Sequence, residues 1–276
     1  MRIGVLMTVH NRKACTLACL ENLFSQKLPE KTEISVFLVD DGSTDGTALA
    51  VHTRFPTVNV IRGDGTLYWN QGMRRCWEEA SREDFDAYLW LNDDSNLEPD
   101  AIKQLSGTLD SQLNDIGTAG IVVGACFVSG SSTGEKIATY GGRMDKRIIS
   151  PSGSPQSVQT FNGNVVLVSR NAFRQLGNLS PEYRHSFGDF DYGFRARQKS
   201  IPVWLTAGYV AECPRNGIPA WRDANRSLTQ RWKSFQDPKR ITAKELRNFQ
   251  KVKGRGFWWY SMMRIYLEML FPRLFN

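Results

Sequence analysis

The chain has 276 residues, 41% of them hydrophobic, enough to bury the core of one large α/β domain or two small ones. Its net charge of +7 sits at one end: residues 226–276 hold 12 Lys/Arg against 3 Asp/Glu, so the rest of the chain lacks the basic footprint of a nucleic-acid reader. Five cysteines, an odd number with no C-x-x-C pair, exclude a disulfide framework and a structural zinc and point to a reducing cytoplasm.

The opening MRIGVLMTVH is too short for a signal-peptide core and is broken at Asn11 and Arg12, so it reads as a first strand. Residues 13–26 read as a helix, EISVFLVDD as a second strand, 46–53 as a helix, TVNVIRG as a third strand, 70–82 as a helix and AYLWLNDD as a fourth strand. Such alternation with nearly continuous apolar strands predicts a parallel sheet covered on both faces, with ligands beyond the carboxyl ends of the strands. From about 126 to 160 Gly, Ser, Thr and Pro abound, and GGRMDKRIISPSG resembles a hairpin-like excursion. NGNVVLVSRNAFRQLG returns to strand and helix, PEYRHSFGDFDYGFRARQKS supplies a loop and a helix beginning near Asp189, and IPVWLTAGYVAEC is a last strand.

From about Arg226 the sequence reads as basic helices ending in GFWWYSMMRIYLEMLFPRLFN. Arg264, Glu268 and Pro272 interrupt that stretch, so it cannot supply the ~20 apolar residues of a spanning helix. It suits an amphipathic segment on an anionic membrane surface, with Trp258, Trp259 and Tyr260 at headgroup level, and equally a segment packed on the body or on a second subunit. The expected domains are 1–225, divided into halves 1–125 and 126–225, and the extension 226–276. Oligomeric state is left open, a homodimer included.

Two acid pairs close predicted strands. Asp40 and Asp41 end the second and Asp93 and Asp94 the fourth, so all four emerge at one sheet edge and repel one another. Something cationic or donor-rich must compensate them, and a divalent cation bridging a diphosphate would do so, since Mg²⁺ and Mn²⁺ combine one or two carboxylates with phosphate oxygens. Taken singly, Asp41-Gly42-Ser43 is an ordinary turn and Asp94-Ser95 suits the cap of a helix near Pro99. Asp189, in a third acidic cluster at 188–191, suits an N-cap of the helix that follows.

Taken together, TVHNR at 8–12, VDDGSTD at 39–45, LNDDS at 91–95, NGN at 162–164 and FGDFD at 187–191 ahead of Arg195 resemble the ordered signature of the family 2 glycosyltransferases. The likeness covers about residues 1–215, and the subgroup it most resembles builds bacterial surface polysaccharides and includes rhamnosyltransferases. It implies a GT-A fold: a Rossmann-like, mostly parallel α/β sheet flanked by helices, here with a helical basic C-terminal tail. It further implies an inverting transfer from a nucleotide-diphosphate sugar and a divalent metal, Mn²⁺ or Mg²⁺.

Carried over by position, Thr8, His10 and Arg12 would lie along the nucleotide, Asp41 would accept a hydrogen bond from the base, and Asp64 would sit near it. Asp93 would face the ribose or sugar, Asp94 would be the metal ligand and Asp189 the base. Asn162, Asp191 and Arg195 would shape the acceptor loop. Trp69 in GTLYWNQG reads as a donor-side wall, and Asn70 and Gly72 as places where backbone approaches the nucleotide. Gly188 departs from the Glu that many relatives carry, and Glu212-Cys213 stands where many place a metal-binding His. His185 reads as a lone loop histidine.

P-loop and dinucleotide-binding motifs are both missing from the sequence. The remaining alternatives are a nucleotidyltransferase acting on sugar phosphates, which would want glycines after the first strand, and a non-catalytic nucleotide-sugar-binding partner in a polysaccharide assembly complex. The expectation is a cytoplasm-facing transferase, peripheral on the inner face of the cell membrane, that takes a nucleotide-sugar donor and a glycan or lipid-linked acceptor.

Overall fold

The computed structural model describes residues 1–130, 134–145, 147–237, 239–254 and 256–275. Ser131, Ser132, Thr133 and Lys146 of the expected excursion, and Pro238, Arg255 and Asn276 of the expected tail, lie outside the described residues.

The first half alternates β1 (Arg2–Val9), α1 (Lys13–Phe24), β2 (Glu33–Asp40), α2 (Thr47–Arg54), β3 (Asn59–Arg62), α3 (Tyr68–Ala80), β4 (Ala87–Leu91), β5 (Asn96–Leu97) and α4 (Ala101–Ile116). There follow β6 (Ile121–Ser129), β7 (Lys136–Tyr140), β8 (Gly142–Met144), β9 (Arg147–Ile148), β10 (Gln156–Ser157), β11 (Thr160–Phe161) and β12 (Val165–Ser169). Next come α5 (Arg170–Leu176), α6 (Gly188–Gln198) and β13 (Val203–Glu212), and then the tail helices α7 (Leu228–Phe235), α8 (Ala243–Val252) and α9 (Trp258–Leu270).

The central sheet runs β10-β13-β6-β12-β4-β1-β2-β3. β1 pairs in parallel with β2 and β4, β2 with β3, and β13 with β6, while β12 is inserted antiparallel between β4 and β6. The sheet is thus mostly parallel, and the carboxyl ends of β1, β2 and β4 open on one edge. Apolar runs such as AYLWL are buried on both faces because helices cover both, giving two cores. One core packs α1, α2 and α4 beneath the sheet; the other gathers Trp77, Trp90, Phe161 and Tyr192 under α3 and α6.

Two local expectations change. The excursion after β7 is not a lone hairpin: β8 pairs with both β9 and β11 in a separate three-stranded sheet beside α6. Asp94 and Ser95 do not cap a helix either. β5 intervenes and pairs with the end of β13, and α4 starts only at Ala101, where Asp100 occupies the N-cap position.

The tail packs on the body. The Phe249 ring of α8 stacks on Phe187 at 4.2 Å and meets Phe190 and Phe194 edge-on. Buried Glu245 closes a capping box with Thr242 through one oxygen and accepts the Arg184 N–H at 2.8 Å through the other. The connector after β13 joins the tail: Trp221 packs edge-on against Phe235, and Arg222 and Arg264 pair with buried Glu268. Among the described residues, no helix is long and apolar enough to cross a membrane.

Candidate active site

The loops after β1 and β2 are laced together before any ligand is considered. Asn11, at a φ of 52°, donates its N–H to Ser43 Oγ and accepts the Thr44 N–H at 2.7 Å, while Asp45 accepts the Lys13 N–H at 2.9 Å. His10 Nδ1 lies 2.6 Å from the Asp41 carbonyl, which can only accept, so Nδ1 carries the proton. Asp40 accepts the Ser43 N–H at 2.9 Å and closes its turn.

Asp41, 3% exposed, is the organiser of the next loop. Its carboxylate accepts N–H groups from Gly65 at 2.9 Å, Leu67 at 3.3 Å and Tyr68 at 2.8 Å. Tyr68 sits at a φ of 55°, a left-handed backbone that this acceptor holds in place. Asp41→Ala strands three inward-facing donors and is expected to lower stability by about 2–4 kcal/mol in urea unfolding; an unchanged midpoint would contradict the organising role.

The second acid pair is partly compensated from within the protein. The Arg12 guanidinium lies 3.1 Å from Asp93 and 3.3 Å from Asp94 through one nitrogen, and Thr16 Oγ1 donates to Asp93 at 3.3 Å. The acids are therefore compensated within the protein by a cation from the α1 end. Burial nevertheless pushes the Asp93 carboxyl up to about 6, against the pull of Arg12. Asp94 keeps one oxygen, Oδ1, buried and without a hydrogen-bond partner, among the few such atoms of the described residues.

Thr8, His10, Arg12, Asp41, Tyr68, Trp69, Asn92, Asp93 and Asp94 line a single cleft of about 450 Å³ beyond the ends of β1, β2 and β4. Its other side is made by His185, Asn216 and Lys239. Trp69 is fixed as a wall by donating Nε1–H to Asn92 at 2.8 Å.

Other expected residues are elsewhere. Asp64 is exposed and turned onto Thr66, whose N–H and hydroxyl hold its carboxyl below the usual range. Asn70 is a correction: it is fully buried and cannot lie along a ligand, because its amide donates to the Ser180 and Tyr183 carbonyls. Gly72 likewise serves packing, since a Cβ there would collide with Thr8. Gly188 is required by Asn70, whose side-chain oxygen occupies the place of a Cβ, so no glutamate could stand there.

Asp189 is partly buried and does not itself line the cleft, but it adjoins Trp69, which does, across Gly163. The Gly163 backbone is wedged between them: a Cβ added there would meet Trp69 at 2.8 Å and Asp189 Cβ at 3.2 Å. The carboxylate accepts the Gly163 N–H at 3.0 Å and the Phe190 N–H at 2.8 Å, and burial pushes it up to about 6. It is not an N-cap, because that position falls two residues earlier, at Phe187 in a left-handed conformation.

Asp191 is buried and paired with Arg195 at 2.7 Å; Tyr183 also donates to it, and Arg195 reaches the Leu176 and Asn178 carbonyls. The pair thus moors the loop that carries His185. Asn162 bonds Gly141 and accepts from Arg143, a residue of β8 whose charge also acts on Asp189.

Glu212 at the end of β13 and Cys213 after it are engaged by other partners. Glu212 accepts the Ser129 N–H, and Cys213 bonds Ser95 inside the protein. Among the described residues no three His, Cys, Asp or Glu side chains gather as a metal cluster. The unpartnered Asp94 oxygen fits a hard cation that draws its remaining ligands from phosphate and water.

Lys239, Asn216 and Arg143 escaped sequence reasoning, and His185 was discounted. None adjoins an acidic pair in sequence. The tail brings in Lys239, the connector after β13 Asn216, the loop before α6 His185 and the small sheet Arg143.

The family described as "Glycosyl transferase family 2" has a model that matches residues 4–177. No curated protein matches the chain. Among solved structures, S. aureus TarS 1-349 is similar over 93% of this chain and 72% of that one, with 12% identity and a TM-score of 0.56. The same protein "in complex with UDP-GlcNAc" covers 90% of this chain and 67% of that one, with 15% identity and a TM-score of 0.56. A longer S. aureus TarS structure covers 93% and 44%, with 11% identity and a TM-score of 0.55. At these identities the likeness is one of fold.

Proposed function

This chain belongs to glycosyl transferase family 2, and we propose that it transfers a sugar from a nucleotide-diphosphate sugar to an acceptor hydroxyl with inversion at the anomeric carbon. The observation that carries the reading is the cleft at the strand ends, where Arg12 spans Asp93 and Asp94 and one Asp94 oxygen is left buried and unpartnered. The UDP-GlcNAc complex of the fold neighbour TarS is consistent with a nucleotide-sugar in such a cleft.

In this reading the donor lies along Thr8, His10 and Arg12, with the diphosphate toward Asp94 and the sugar against Trp69. Asp94 would hold Mn²⁺ or Mg²⁺, which when bound offsets charge on the diphosphate oxygens. Asp189 takes the proton of the acceptor hydroxyl as that oxygen attacks the anomeric carbon and the glycosyl–phosphate bond breaks. One displacement with one base inverts the centre. The acceptor enters from the side of the small sheet, where Arg143 and Asn162 stand near Asp189. Domain 1–225 would carry the chemistry, with 1–125 binding the donor and 126–225 the acceptor.

The test is donor hydrolysis. A panel of uridine, thymidine and guanosine diphosphate sugars without acceptor is expected to yield nucleoside diphosphate with at least one member, and no release from any would count against the assignment. Transfer of nucleotide instead of sugar would release pyrophosphate and favour a nucleotidyltransferase.

The acceptor is read as a lipid-linked or polysaccharide glycan of a bacterial surface. Trp259, Tyr260, Phe271 and Leu274 are each more than half exposed at the end of a strongly basic segment, a composition suited to an anionic bilayer surface on the cytoplasmic face. Replacing Trp259, Tyr260 and Phe271 together by Ser is expected to reduce co-flotation with anionic vesicles at least tenfold while leaving soluble donor hydrolysis unchanged. Equal flotation would remove the membrane role. Point changes are preferred to truncation because α8 is packed on the body.

A further inference from the structure

We propose that Lys239, carried into the cleft by the C-terminal tail, binds the diphosphate of the donor; this rests on reading the cleft as the donor site. Lys239 lines the same cavity as Arg12, Asp94 and His185, although it lies in the turn between α7 and α8, almost 150 residues beyond the acid pair. The turn around it is built. Its N–H donates to Asp237 Oδ1 at 2.7 Å, the Arg240 N–H donates to the Asp237 carbonyl at 2.9 Å, and the Arg240 guanidinium lies over Phe235 at 4.6 Å. Immediately after it, buried Glu245 ties the start of α8 to the backbone of Arg184, the neighbour of His185. The backbone is therefore anchored on both sides while the lysine side chain is exposed.

The charges say what that ammonium is for. Arg12 is already shared by Asp93 and Asp94, one positive charge against two negative ones, so it has none to spare when a donor arrives. A diphosphate adds several negative charges that Arg12 cannot offset alone. Among the described residues Lys239 makes no salt bridge, so its charge is available, and a flexible point charge suits a phosphate that changes shape during transfer. His185 beside it does not compete as a cation: burial first, and then Lys239 itself, lower its pKa from an already neutral range. The tail thereby becomes part of the donor site as well as a surface helix array.

Calorimetric titration of the full chain with UDP, dTDP and GDP, each alongside its nucleoside, tests this. Lys239→Gln is expected to weaken the bound diphosphate about tenfold or more, leave the nucleoside's affinity unchanged, and be largely rescued by Lys239→Arg. Equal diphosphate affinity in wild type and Lys239→Gln would overturn the proposal while leaving the donor site in place. Failure of wild type to bind any of the three diphosphates would overturn the donor-site reading and this proposal together. Equal loss of nucleoside and diphosphate affinity would make Lys239 a structural residue and also sink it.

Discussion

Asp189→Asn is expected to lower turnover by about 10²–10⁴-fold, the range lost when a general base is removed. The amide retains one oxygen to accept either the Gly163 or the Phe190 N–H, so the fold should persist and donor affinity should hardly move, since Asp189 does not line the cleft. The pH dependence provides a second reading of the same side chain. Burial raises its carboxyl to about 6, and only the ionised form can take a proton, so wild-type activity should fall as pH drops through about 6. The stability effect has the opposite sign. A folded-state pKa above the ordinary value means the folded form binds the proton more tightly, so this contribution to stability is complete below about 4 and lost as pH rises through about 6. Asp189→Asn should therefore show a flatter stability profile over that window. Full turnover in the variant, or an acid limb near 4, would remove Asp189 from the role.

Asp94→Asn is the second large effect, expected at about 10²–10³-fold in kcat/KM, the scale of removing one group that stabilises developing charge. Arg12 would still pair with Asp93 at 3.1 Å, so the loop keeps its main tie. The metal reading adds a distinct requirement: chelation should suppress wild-type donor hydrolysis, Mn²⁺ or Mg²⁺ should restore it, and the variant should respond to neither. Activity indifferent to chelator, in a wild type that Asp94→Asn nevertheless disables, would leave Asp94 as a charge without a cation. The structure makes that contrast meaningful because Arg12 already offsets part of the acid repulsion that a metal would otherwise have to relieve.

The strands and their order of appearance were legible because burial on both faces leaves a plain mark: AYLWL, VVLVS and the core of RIGVLMTV admit almost no polar residue. The acid pairs stood out for a related reason, since a carboxylate directly after such a run needs a partner, and for Asp40 and Asp41 that partner is the backbone of neighbouring turns. Asn70 opens a helix, where backbone could approach a nucleotide, but here the residue is fully buried and its amide satisfies the carbonyls of a distant loop. The excursion was only half legible. Its turns are marked by Gly and Pro, but pairing of β8 with β11 joins segments that share no local signal.

Composition and local order by themselves determined the α/β class, the acidic edge beyond β2 and β4, and the basic, aromatic character of the last fifty residues, because each follows from the period of burial or from a count of charges. Tertiary structure alone decided that Arg12 bridges the second acid pair, that Asp41 is occupied by the 65–68 backbone, that Asp189 adjoins Trp69 across Gly163, and that the tail returns Lys239 to the cleft. The reason is one of range. Periodicity reports which face of a segment is dry, but the partner of a buried charge is set by where remote loops close, and that closure leaves no mark in the residues adjoining either group.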